Sequence, residues 1–182
     1  MLIMLYGASG VGKSHILNII KKNVYQEVDI GKKYSTRARR LNDNSDMRVG
    51  LASIDTDLCD LVYSLYGYDY GIDTNEIIQS IKAGRIFIMV VQDICTIKKL
   101  KNKISKTTTI FVYRTFDKNN YNEIVQERGV NNQDKEVRIK SYSIIHNEYL
   151  DNIGLFDDVI LNIGDINRLS KTTNHIIRKF HS

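Results

Sequence analysis

The chain has 182 residues, 42% of them hydrophobic and 26% charged, a balance that supports a buried core and excludes a disordered chain. No apolar stretch approaches the roughly 20 residues a membrane span needs, and the apolar N-terminal run is too short and lacks the basic lead of a signal peptide. The net charge of +5 suits a protein that grips polyphosphates better than one that binds nucleic acid, which is not expected as a partner. Cys59 and Cys95 stand apart without metal or redox spacing and fit a reducing, cytoplasmic setting.

Met1 to Tyr6 is an apolar run short enough for a buried strand. Gly7-Ala8-Ser9-Gly10-Val11-Gly12-Lys13-Ser14 follows at once and fits the phosphate-binding pattern G-x-x-x-x-G-K-[ST] at every fixed position. From Ser14 the pattern turns helical, with Ile16, Leu17, Ile19 and Ile20 on one face. Strand, glycine loop and helix form the context this motif requires. Glycines let successive N–H groups point inward around a phosphate, and the helix N-terminus adds its dipole. Lys13 would lie along the β- and γ-phosphates of ATP, and the Ser14 hydroxyl would ligate Mg2+.

The chain has no proline or tryptophan, so turns are read from Gly, Asn and Asp. Val28 to Ile30 is a weak strand candidate, followed by a basic stretch from Lys32 to Arg40. Leu41 to Asp46 reads as an exposed loop. Residues 47–72 read as a small Tyr-rich sheet with a tight turn near Gly67. A helix is expected from Thr74, capped by Thr74 or Asn75, burying Ile77, Ile78 and Ile81 and ending at Ala83-Gly84. Ile86 to Val91 is a second buried strand, Lys98 to Lys106 a helix with a solvated lysine face, and Thr109 to Tyr113 a third strand. Helices are expected over Asn120–Arg128 and Asn132–Asn152, a last strand over Asp158–Leu161, and a closing helix over Ile166–Phe180. This alternation predicts an α/β fold with a parallel sheet wrapped by helices on both faces, ligands sitting at the carboxyl ends of its strands.

Taken in order, these pieces resemble the guanylate kinase family over nearly the whole chain. The matches are the loop G-A-S-G-V-G-K-S, Ser35-Thr36-Arg37-Ala38-Arg39-Arg40 against T-T-R-x-P-R, and Gly67-Tyr68-Asp69-Tyr70-Gly71 against G-N-x-Y-G-T. Ile110-Phe111-Val112, Arg128-Gly129 with Arg138 beyond, and Phe156 to Asn162 against F-D-x-V-I-x-N complete them. The resemblance implies a single P-loop kinase domain. Its core would be 1–32, 73–114 and 141–182, with an acceptor-binding insert at about 33–72 and a helical lid at about 115–140. Both arms are expected to close over bound substrates, excluding water from the transfer.

It also implies an ATP- and Mg2+-dependent phosphotransferase, monomeric or homodimeric, acting on a nucleoside monophosphate, with GMP the default. Arg37, Arg40 and Tyr70 would hold the acceptor phosphate, Arg128 and Arg138 would close on the transferring group, and Asn162 would touch the adenine side of ATP. Asp93, near the end of a core strand, is a candidate for the metal, with a helix cap as its other reading. The guanine-reading positions depart from the family. Its acidic residue aligns near Leu61, with Asp60 one position off, and its threonine is Ile72. A sugar-phosphate kinase resembling the ribose 1,5-bisphosphate phosphokinases is therefore the alternative, with a non-catalytic phosphopeptide-binding module and a nucleic-acid-stimulated ATPase as further classes.

Overall fold

The computed structural model describes residues 1–23, 27–39, 47–116 and 132–180, with backbone only at 132–135, 137 and 138. The expected loop over Leu41–Asp46 and helix over Asn120–Arg128 lie outside the described residues, as do Arg40, Arg128 and the side chain of Arg138.

Five strands form one parallel sheet: β1 (Leu2–Tyr6), β2 (Val28–Ile30), β7 (Ile86–Val90), β8 (Thr107–Tyr113) and β9 (Asp158–Leu161), in the order β2-β7-β1-β8-β9. β1 lies at the centre, pairing Leu2 with both Phe87 and Thr107. Every residue of β1 is buried, which is why it reads as an unbroken apolar run and not as an alternation. On one flank, Ile16 and Ile20 of helix α1 (Lys13–Lys22) meet Thr173, Ile176 and Ile177 of the last helix, around a small apolar cavity. On the other, Tyr6 and Phe111 pack against Phe156, and Phe111 stacks on Tyr149 at 4.0 Å.

Among the described residues the other α-helices are α2 (Thr74–Lys82), α3 (Ile94–Lys103), α4 (Asn132–Asp151) and α5 (Ile166–Lys179). Three expectations are corrected. The cap of α2 is Asp73, not Thr74 or Asn75; its carboxylate accepts from the N–H groups of Asn75 and Glu76. Helix α3 begins at Ile94, not Lys98, because the Asp93 carboxylate accepts from Thr96 N at 2.6 Å and starts the helix there. Ile94, Ile97 and Leu100 form its buried face, and the chain turns extended at Ile104. On α2, Ile77 is buried but Ile78 and Ile81 are only half-buried; Thr74 and Ser80 share the inner face with Ile77.

Residues 34–72 build a separate four-stranded sheet, β4-β3-β6-β5, from β3 (Tyr34–Ser35), β4 (Arg48–Val49), β5 (Leu61–Leu65) and β6 (Tyr68–Ile72). β5 and β6 form an antiparallel hairpin closed by Tyr66 and Gly67, both with positive φ, 56° and 75°. Two left-handed residues match the twist of a tight hairpin, and glycine supplies one at no steric cost. Tyr66 takes the other in spite of its side chain.

Asp60, just before β5, ties this sheet to the core. Its carboxylate accepts from Thr74 N at 2.9 Å, from Thr74 Oγ1 at 2.6 Å and from Lys103 Nζ. Partial burial resists ionisation, but the hydrogen bonds from Lys103 and Thr74 outweigh it and hold the carboxyl down at about 2. A depressed folded-state pKa stabilises above the unfolded value and is lost as pH falls through the folded one. With the carboxylate about a third exposed, solvent screens much of this. Asp60→Asn is expected to destabilise the chain by about 1 kcal/mol at pH 7. The gap from wild type should narrow as pH falls from about 4 towards 2, read by urea unfolding across that range. A gap that does not change with pH would show that the carboxylate charge contributes nothing.

Candidate active site

The glycine loop crosses from the end of β1 to the start of α1 with Gly7, Gly10 and Gly12 at φ 149°, 91° and 108°. Two of these glycines are also fixed by space. A Cβ at Gly7 would lie 2.3 Å from the Val112 carbonyl oxygen, and one at Gly12 would lie 2.5 Å from Asn162 Nδ2. The loop curls around the Lys13 amine, which donates to the carbonyls of Gly7 and Ala8, both at 2.6 Å, and is buried. Ala8, Ser9 and Val11 are buried with it, while Ser14 is exposed in the first turn of α1.

Asn162, at the exit of β9, lies under this loop. Its side-chain amide donates to Val11 O at 2.9 Å and its Oδ1 accepts from Gly164 N at 3.0 Å, so both ends of the amide hold backbone. The sequence places Asn162 on the donor site; the structure gives its side chain a loop-supporting role there.

The described residues accommodate a nucleotide phosphate and its metal. The loop has no Cβ where the backbone curls, an ammonium at its centre, and a hydroxyl at the helix start. Asp93 stands at the same sheet edge, just past the end of β7, where its charge is felt at the hydroxyls of Tyr6 and Tyr63. One of its oxygens caps α3, so the cap reading is correct. Among the described residues no cluster of three or more His, Cys, Asp or Glu could hold a metal alone. Mg2+ is normally held by one or two protein oxygens together with phosphates and water, so Ser14 and Asp93 are a compatible set.

Arg37 and Tyr70 are both positioned through Ser35 of the second sheet. Ser35 pairs with Tyr70 across β3 and β6, and its Oγ accepts from Arg37 N at 3.2 Å. The Arg37 side chain is buried and donates to Ala38 O at 2.9 Å. Lys33 Nζ stands 5.1 Å from the centre of the Tyr70 ring.

Tyr63 and Tyr6 are site residues the sequence reading missed. The Tyr63 ring stacks on Tyr70 with centroids 5.3 Å apart and packs against the main core. Burial, and then the nearby Tyr70 and Asp93, push its ionisation well above the ordinary phenol range, against the opposing influence of the Gln92 backbone. The signal was available: a Tyr66-Gly67 turn places residue 63 opposite residue 70. Tyr6 ends β1, directly before the loop, and donates to Glu148 Oε2 of α4 at 2.5 Å; burial first, then Glu148, raises its pKa far out of range.

No family model and no curated protein matches this sequence. Among solved structures the fold is similar to the guanylate kinase of Anaplasma phagocytophilum, at 15% identity over 98% of this chain and 85% of that one, with a TM-score of 0.64. It is also similar to an uncharacterized protein from Eubacterium ventriosum, at 15% identity over 100% of this chain and 99% of that one, with a TM-score of 0.50. At such identities the likeness is one of architecture: the chain has a P-loop kinase-like α/β fold.

Proposed function

We propose that this chain is an ATP-dependent phosphotransferase that moves the γ-phosphoryl group of ATP to a phosphate oxygen of a small phosphorylated acceptor. The bond to the β-phosphate oxygen breaks, the bond to the acceptor oxygen forms, and ADP leaves. The observation that carries this reading is the glycine loop wrapped around the buried Lys13 amine at the edge of the sheet where β1 ends.

Lys13 and the loop amides hold the donor phosphates, with Lys13 leaving the carbonyls of Gly7 and Ala8 for phosphate oxygens. Ser14 and Asp93 would hold Mg2+, which when bound would supply charge neutralisation to the phosphates of ATP. Arg37 and Tyr70 orient the acceptor phosphate; a planar guanidinium suits a phosphate because it donates two parallel hydrogen bonds. Arg40, Arg128 and Arg138 complete this reading as further cations on the acceptor and on the transferring group. Phosphoryl transfer needs positioning and charge more than a general base, so this residue set is chemically sufficient. The intact Lys13 and Ser14 favour an enzyme over a binding module. GMP is the acceptor that the family resemblance implies.

Lys13→Ala is expected to weaken Mg-ATP binding by about 1.5–3 kcal/mol, the loss of a charged contact, measured by titration calorimetry. Arg37→Ala is expected to raise the KM of the acceptor at least about tenfold while leaving Mg-ATP affinity unchanged, as fits the loss of a charge-assisted phosphate contact. ADP release measured with a panel of nucleoside monophosphates and sugar phosphates tests the reaction itself. Absence of turnover with every acceptor would overturn the kinase reading.

A further inference from the structure

The exits of β8 and β9 carry the two walls of the glycine loop: the Val112 carbonyl stands against Gly7 and the Asn162 amide against Gly12. Two residues further along the chain from each wall lie Arg114 and Gly164, and these two meet. A Cβ on Gly164 would lie 3.3 Å from Arg114 Nη2 and 3.9 Å from its Cζ, so the guanidinium takes the space a side chain would fill. Arg114 Cζ also stands 5.1 Å from the centre of the Phe116 ring, and the Arg114 carbonyl accepts from Tyr142 Oη at 2.6 Å. Phe116 meets the Tyr142 ring edge-on at 5.5 Å, which fixes the aromatic support from helix α4.

This cation is placed but not paired. The Arg114 guanidinium is half-buried and makes no ion pair or hydrogen bond among the described residues. It carries five N–H donors, and drawing them partly out of water without a partner is unfavourable until a ligand supplies one. Its position says which ligand. Two residues of extended chain span roughly 6–7 Å, beyond hydrogen-bond reach of a phosphate seated in the loop but within reach of what that phosphate carries. Arg114 lies on the β8–β9 side of β1, while Asp93 follows β7 on the other side. Asn162 is not free to read a group here, because both ends of its amide hold backbone. Ile163 and Ile166, close to Gly164 in the chain, are each 52% exposed and offer apolar surface to a flat ligand.

We propose that Arg114 is a donor-binding residue: its guanidinium and the Ile163–Gly164 turn form the platform for the base end of the nucleoside triphosphate whose phosphates the glycine loop holds. This rests on the phosphotransferase reading and deepens it on the donor side. The platform consists of a guanidinium, a glycine turn and apolar side chains. It holds a purine by stacking and cation–π attraction, which every base offers, so it separates a nucleotide from bare polyphosphate and barely separates adenine from guanine.

The test uses the full chain and titration calorimetry with Mg-ATP, Mg-GTP and Mg-tripolyphosphate, the last carrying phosphates without a nucleoside. Wild type is expected to bind ATP and GTP within about tenfold of each other, and both more tightly than tripolyphosphate. Arg114→Ala should weaken ATP and GTP alike by about tenfold and leave tripolyphosphate within about twofold. Thermal unfolding checks the fold; should alanine disturb it, Arg114→Gln keeps the stem and carries the same expectation. Three results would overturn the proposal while leaving the phosphate loop and the kinase standing: nucleotide affinity unchanged in the variants, tripolyphosphate bound as tightly as ATP or weakened in step with it, or a wild-type preference between ATP and GTP beyond about tenfold. Wild type that binds none of the three would instead overturn the phosphotransferase reading and this one with it.

Discussion

Everything at the candidate site depends on how closely the glycine loop is hemmed in. At one end the Val112 carbonyl leaves no room for a side chain on Gly7; at the other, the Asn162 amide leaves none on Gly12. The loop is thus shaped by two neighbouring strand ends as well as by its own dihedrals. β8 supplies the first wall and the exit of β9 the second, and the parallel order of the sheet brings both to the edge where β1 ends. Walls on both sides fix the curl of the loop backbone, and under the proposed reading the Lys13 amine at its centre is the group that moves when a phosphate enters.

The second sheet is anchored to the core at separate points with different chemistry. Asp60 makes a charged, partly solvated tie to Thr74 and Lys103, and the Tyr63 ring packs against the apolar core. Between them Ile72 joins that core as a buried member. The Asp60 carboxylate is thereby committed to holding the sheet in place.

The sequence made the donor side legible because its signals are local: an apolar run, a fixed glycine pattern and a helical period within a few turns of chain. The parallel α/β architecture followed from the alternation, and the last strand was read to its ends. The misplaced boundaries had readable causes. Asp73 and Glu76 make a D-x-x-E cap that the threonine and asparagine between them obscured, and the lysines of α3 drew the helix towards its solvated face, away from Ile94, Ile97 and Leu100. Other features lie beyond local reading. Nothing near Asn162 announces a bond to Val11 O, and nothing near Asp60 names Lys103 as its partner. Tyr63 falls between these cases, since the hairpin register reveals its partner on β6 but not the core it packs against.

The central place of β1 has a consequence for how the chain comes into being. β1 is made well before its two partners, β7 and β8, and Asn162 follows later still. Until those strands arrive, an unbroken apolar segment has no neighbour to pair with, and non-local parallel pairing is slow. The glycine loop therefore cannot take its final shape as its own residues emerge. It does so only once the exit of β9 lies beneath it, so the form of the candidate site is settled by residues made long after the loop itself.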